Sequence, residues 1–169
     1  MSMIHRLLKT IFGYFGRFRI INDRMDREPY LERYYLFLKE RTTFPFNIFL
    51  HRFLKSDPDV LHNHPWSYRS IILFGGYWEH KLDGVFWRGP LSYIYAPANT
   101  YHRVELDEQN PYCWTLFMPG PKQQSWGFLT EKGHIDNETY LADKKREQET
   151  KNTNYDNENN KDNENIVMI

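Results

Sequence analysis

The sequence predicts an all-β sandwich or barrel, flanked by an N-terminal amphipathic helix and a polar, disordered C-terminal tail. Three observations carry that expectation. Between Arg17 and Phe128 the chain breaks into short runs of aromatic and β-branched residues at near-even spacing, as strands of an all-β domain do. The breaks hold turn residues: Ser56-Asp57-Pro58-Asp59, Gly75-Gly76, Asp83-Gly84, Gly89-Pro90 and Pro119-Gly120-Pro121. His62 and His64 lie two apart, which puts them on one side of an extended strand but about 200° apart around a helix.

Residues 1–16 form the first segment. Ile4, Leu7, Leu8, Ile11, Phe12 and Phe15 recur at helical spacing, the charges Arg6, Lys9 and Arg17 are all basic, and the first acid is Asp23. A helix packed by its apolar stripe on its own domain fits this pattern. A membrane-surface or organelle-targeting helix is the alternative. The segment lacks the length and the small-residue cleavage pattern of a signal peptide, so a cytoplasmic protein is expected.

The strands expected next are Arg17–Ile21, Tyr30–Leu38, Asn47–Leu54, Trp66–Phe74, Tyr77–Leu82, Val85–Arg88, Ser92–Ala96, Tyr101–Leu106 and Tyr112–Met118. Asp83-Gly84 between two aromatic-rich runs marks a hairpin, because that turn needs a positive φ. Pro119-Gly120-Pro121 is expected to close the last strand. These runs make one β-domain over residues 17–140. Residues 141–169 are the expected disordered tail: from Lys144 to Asn165 the chain is rich in Asn, Lys, Asp and Glu, with Tyr155 its only aromatic. Such a segment buries too little apolar area to offset an ordering cost of ~1–2 kcal/mol per residue. The apolar end Ile166-Val167-Met168-Ile169 is too short to change that reading.

Composition excludes several function classes. A chain of 169 residues suits one domain with a core. Lys+Arg and Asp+Glu both total 22, so no net field draws in nucleic acid. The single cysteine, Cys113, rules out an intrachain disulfide framework or a cysteine-based zinc site and fits a reducing compartment. No stretch approaches the ~20 apolar residues that span a bilayer. Aromatics at 17% suit strands, a stiff core and a flat-walled pocket. The aromatic-rich faces permit a homodimer without requiring one. No Ser/His/Asp order, P-loop or dinucleotide fingerprint is present.

The chemistry concentrates in His62-Asn63-His64-Pro65-Trp66 and Pro97-Ala98-Asn99-Thr100-Tyr101-His102. If His62 and His64 face inward, strand alternation sends Trp66, Tyr68, Ser70 and Ile72 inward too, and His102 shares its face with Val104 and Leu106. A lone inward histidine is usually a hydrogen-bonded core residue. Three converging imidazoles are better explained as metal ligands with open positions.

These motifs resemble those of the cupin superfamily, the double-stranded β-helix or jelly-roll barrels. The first cupin motif has H-x-H, an acid four or five positions on, and then Gly. His62-Asn63-His64 with Gly75-Gly76 matches it apart from the acid, whose places hold Tyr68 and Arg69. The second has Pro-x-Gly-x-x-His, matched by Pro97-x-Asn99-x-x-His102 with Asn for Gly, a mild change because Asn tolerates left-handed conformations. The resemblance covers roughly Phe46 to Phe128. Tyr30–Phe37, His51-Arg52-Phe53, His64-Pro65-Trp66, Gly76-Tyr77-Trp78-Glu79, Trp114–Phe117 and Trp126-Gly127-Phe128 are similar to a set of uncharacterised bacterial and phage cupin-like proteins, which bring no known reaction.

What the resemblance implies is a metal held by His62, His64 and His102 with no carboxylate, as in thiol dioxygenases and some diketone- or gentisate-type cupins. A divalent transition metal is expected, Fe(II) ahead of Zn, Ni or Mn. The neutral ligand set keeps the full charge of the ion and favours a small anionic substrate. Arg69, Tyr68, Arg88 and Trp114 are candidate substrate contacts, and Glu79 a candidate fourth ligand or base, against its reading as a hairpin surface acid. His51 is a candidate partner of the ligands. Three functions fit: a mononuclear non-haem iron oxygenase, a metal-dependent isomerase or lyase on a sugar or keto acid, and a non-catalytic ligand-binding or interaction module.

Overall fold

Two antiparallel six-stranded sheets face each other in the computed structural model, which describes residues 3–39, 44–147 and 149–150. Helix α1 (Met3–Tyr14) precedes twelve strands: β1 (Phe18–Asn22), β2 (Pro29–Tyr35), β3 (Phe49–Phe53), β4 (Leu61–His62), β5 (Trp66–Phe74), β6 (Tyr77–Lys81), β7 (Gly84–Arg88), β8 (Tyr93–Ala96), β9 (His102–Leu106), β10 (Cys113–Lys122), β11 (Gly127–Thr130) and β12 (Gly133–Asp136). One sheet has the order β1-β2-β3-β10-β5-β8 and the other β12-β11-β4-β9-β6-β7. From β3 to β6, and again from β7 to β11, successive strands alternate between the sheets, giving the jelly-roll architecture that the strand pattern and the cupin resemblance imply.

Strand alternation builds the core as expected. Tyr68, Ser70 and Ile72 of β5 are buried while Arg69 is exposed, and His102, Val104 and Leu106 of β9 are buried together. Tyr68, Ile72, Tyr77, Ile94, Val104 and Cys113 pack into one cluster between the sheets. Gly75, at φ +74°, makes the β5–β6 turn, where a Cβ would lie 2.5 Å from the Tyr112 carbonyl oxygen. Only glycine combines that conformation with so close an approach.

Four features differ from the sequence expectation. First, β10 does not stop at the Pro119-Gly120-Pro121 run. It reaches Lys122, which pairs with Trp66 across a register shift that accommodates prolines lacking an N–H. Second, β11 and β12 form an additional hairpin. Third, the polar run beginning at Leu141 is not a tail from its first residue. The chain is helical over residues 137–147, Tyr140 stacks on Phe128 at 4.1 Å, and Asp143–Arg146 and Lys144–Glu147 pair at i, i+3, a spacing that supports helix without a buried face. The rest of the expected tail, residues 151–169, lies outside the described residues.

Fourth, α1 packs on the domain through the unexpected side. His5, Leu8, Lys9 and Phe12 face the first sheet, while Ile4, Leu7, Ile11 and Phe15 are exposed. The cause is Glu32, a buried carboxylate on the outer face of β2. It accepts from His5 Nε2 at 2.8 Å and Lys9 Nζ at 2.9 Å, with Arg52 Nη1 at 3.4 Å. Phe12 meets Tyr34 edge-on, and His5 meets Trp114. A buried acid that must be paired fixes the rotation of the helix ahead of its apolar stripe. Among the described residues no helix is long and apolar enough to cross a membrane.

Candidate metal centre

The two motif histidines do not share one strand. His62 ends β4 and lies opposite His102 of β9. The chain then leaves that sheet, and His64-Pro65 crosses toward β5 in the other. Asn63 anchors the crossing: its N–H donates to the Gly127 carbonyl (3.1 Å), and its Oδ1 accepts from Gly127 N–H (2.8 Å). His64 N–H donates to the Ala98 carbonyl at 3.3 Å, and Gln124 Nε2 donates to the carbonyls of both His64 and Ala98. The second motif thus holds the backbone of the first in place.

These anchors bring His62, His64 and His102 to one point. One ring nitrogen of each lies within 4.8 Å of the others. The Nε2 atoms of His64 and His102 are 2.8 Å apart, and the three ring centroids are 5.1–5.3 Å apart. Trp126 and Phe128 close the side of His62, and Tyr68 packs edge-on against His64. Burial, then the neighbouring His102 and His62, pushes His64 well below the ordinary imidazole pKa, and burial lowers His62. Neutral imidazole is the form that binds metal. Two nitrogens bound to one ion at about 2.0–2.1 Å would be roughly 2.9–3.4 Å apart, close to the separation of His64 and His102. The donor set fits a first-row divalent metal.

Glu79 stands behind this group. Its fully buried side chain projects from β6 and places Oε1 3.2 Å from His102 Nδ1, the ring nitrogen on the far side from His64. Oε2 accepts from Arg88 Nε at 2.8 Å and lies 2.7 Å from Nη2, with Lys81 Nζ at 3.7 Å. Burial alone would raise its pKa, but the bond and charge of His102, then Arg88 and Lys81, outweigh it and hold the carboxyl at about 2. Tyr68 adds a hydroxyl 3.3 Å from His102 Nε2. Burial first, then neighbouring Tyr77 and Glu79, raises that phenol well above its ordinary value, so it keeps its proton.

The two-sheet frame matches solved structures. A cupin-2 domain protein from Rhodospirillum rubrum aligns with a TM-score of 0.53 at 14% identity, over 69% of this chain and 78% of its own. A protein of unknown function with a cupin-like fold, from Ralstonia eutropha, aligns at 0.51 and 14% identity over 80% and 84%. The chain has the cupin fold. The polyketide cyclase RemF from Streptomyces resistomycificus shares this cupin frame at 0.50 and 17% identity, over 66% and 78%. No family model matches the chain, and no curated protein matches it in sequence.

Within the cupin frame, the remaining sequence candidates fall in different places. Tyr68 reaches the histidines. Arg88 stands one residue removed, bound to Glu79. Arg69 is exposed on the outer face of β5, its guanidinium over Tyr95 at 5.2 Å. Trp114 lies on the outer face of β10 beneath α1, stacked with Tyr34 at 5.8 Å. His51 is buried and inward. It accepts from Arg33 Nε at 2.9 Å and stacks on Phe117 (4.9 Å), which itself packs on Tyr68. Cys113 is buried, and burial raises its thiol to about 12, so it stays protonated and inert.

Sequence reasoning missed Ser56 and Asp57. Because β4 meets β9 only at His62 and His102, other N–H groups of β9 on that edge need acceptors. Asp57 Oδ2 takes Val104 N–H at 2.6 Å and Ser56 Oγ takes Leu106 N–H at 2.9 Å. In the sequence these residues read as a turn, and only the shortness of β4 gives them this second task.

Proposed function

We propose that the chain is a mononuclear non-haem metalloenzyme of the oxygenase type, with His62, His64 and His102 holding a divalent metal, iron(II) foremost, and a small anionic substrate. The observation that carries this reading is the convergence of three imidazoles with no carboxylate in the group. Bound there, ferrous iron supplies dioxygen activation and an undiminished positive charge for an anionic ligand.

The protein's own contributions follow from the geometry. Glu79 accepts from His102 Nδ1, which fixes the ring and points Nε2 at the centre. Tyr68 keeps a proton beside His102 Nε2 and can donate it as a hydrogen bond to a substrate oxygen. Trp126 and Phe128 limit water on the side of His62. A cavity of about 300 Å³ lined by Arg19, Arg33, Lys39, Phe49 and Trp66 has none of the three histidines in its wall; its link to them is Trp66, whose ring stacks 6.5 Å from His64. Its cationic and aromatic lining suits a small carboxylate or other anion.

Anaerobic purification with metal analysis tests the site, and oxygen uptake with thiols, catechols and keto acids tests the reaction. Stoichiometric iron that disappears in His64→Ala, together with substrate-dependent oxygen uptake, is expected. Full metal occupancy in His64→Ala would overturn the ligand assignment. Turnover independent of oxygen would move the reading to metal-dependent isomerase or lyase chemistry.

A further inference from the structure

We propose that α1 docks the protein on an anionic membrane surface. Because Glu32 draws His5 and Lys9 inward, the opposite side of the helix presents Met3, Ile4, Leu7, Ile11, Tyr14 and Phe15 to solvent. Their exposures run from 44% for Ile11 to 85% for Tyr14. At 100° per residue these six side chains fill an arc of about 120° with no charged residue inside it. Soluble domains leave single apolar residues exposed without consequence, but a continuous stripe of this size marks a contact surface. Past the helix, Arg17 Nη1 donates to the carbonyls of Tyr35 and Phe37 and so is tied to the sheet.

The charge beside the stripe selects the occupant. From Met3 to Asn22 the chain carries Arg6, Lys9, Arg17 and Arg19 and no Asp or Glu. Lys9 is paired with Glu32, whereas Arg6 is exposed, one helical turn from Met3 on the flank of the apolar arc; Arg19 lies opposite Arg33 on the other face of the sheet. A second copy docking by the same stripe would set Arg6 against its own copy with no acid in the segment to offset it. A bilayer bearing anionic headgroups satisfies both halves of the surface. Apolar side chains enter the acyl boundary, and Arg6 meets the headgroups, as in interfacial amphipathic helices. This inference is independent of the metal centre, which lies between the sheets while α1 covers an outer face.

The test uses the full chain with sedimented vesicles of phosphatidylcholine, with or without phosphatidylglycerol. Binding to the phosphatidylglycerol vesicles, weakening as salt is raised, is expected. The double variant Leu7→Gln/Ile11→Gln should abolish it. Arg6→Gln should weaken it about fivefold, the equivalent of ~1 kcal/mol for one basic residue at the surface. Because Leu7 and Ile11 are exposed, the double variant should melt with the wild type; if it does not fold, Arg6→Gln and the salt series decide. No binding to anionic vesicles, binding indifferent to phosphatidylglycerol, or a lipid-free dimer that Leu7→Gln/Ile11→Gln dissociates would each overturn the proposal.

Discussion

His102 and Glu79 meet through Nδ1 and Oε1 at 3.2 Å, so the histidine that faces His64 with one nitrogen leans on a buried carboxylate with the other. Carboxylates in this position fix the ring and raise its basicity as a ligand. Glu79→Gln preserves size and hydrogen-bonding capacity but removes the charge. It should lower metal affinity by about 10- to 100-fold, measured by competition with a calibrated chelator under anaerobic conditions. Unchanged affinity would show that Glu79 serves only to neutralise Arg88.

Asn63 tests the scaffold of the site rather than its chemistry. Its side chain takes the buried N–H of Gly127, and Asn63→Ala leaves that donor without a partner. A stability loss of about 1–3 kcal/mol is expected, read from the urea midpoint. Weaker metal binding should accompany it, since Asn63 lies between His62 and His64. Loss of stability with metal affinity intact would mean that Gln124 and Ala98 position His64 without help.

Much of the frame was legible from local pattern. β5 runs Trp66–Phe74 as expected, and its parity placed Tyr68 and Ile72 inward, because one buried face fixes alternation strongly. The histidine trio was legible from the spacing within its two motifs, although His62 and His64 do not share the single strand that the spacing suggested. What escaped depends on partners distant in sequence. Glu79 read more readily as a surface acid, and only the pairing of β6 with both β7 and β9 sets it between Arg88 and His102. The rotation of α1 followed an acid on β2 and not its own hydropathy. β4, two residues long, carries no periodicity at all, and the helix over residues 137–147 is held by charge pairs and one aromatic contact where apolar period is absent.

Ile72 offers a plain measure of core packing. It is fully buried between Tyr68, Tyr77 and Val104 in the central cluster. Ile72→Ala removes its outer carbons and leaves a cavity that stiff aromatic neighbours cannot collapse, so a loss of about 2–5 kcal/mol is expected in denaturant unfolding. A loss under about 1 kcal/mol would mean that the sheets relax into the gap.

Glu32 makes the attachment of α1 sensitive to acid. Its carboxyl faces His5 and Lys9 from the helix, Arg52 from β3 and the Tyr34 hydroxyl from its own strand. Burial alone would raise its pKa, but the bonds and charges of Lys9 and His5 outweigh that and lower it. The sign follows. The unfolded chain binds a proton here more readily than the folded one, so the contribution is fully present above the unfolded value of ~4.3 and is lost as pH falls through the lower folded value. Trp114, edge-on to His5 at 5.5 Å, lies beneath the helix and reports its release. Its fluorescence should change on acidification below that window in the wild type. Glu32→Gln should lose about 1.5–3 kcal/mol at neutral pH, the usual worth of a hydrogen bond to a charged group, and should lack the acid step. An acid step of equal size in Glu32→Gln would assign the sensitivity to another carboxylate, and an unchanged neutral stability would show that apolar packing by Leu8 and Phe12 suffices to seat α1.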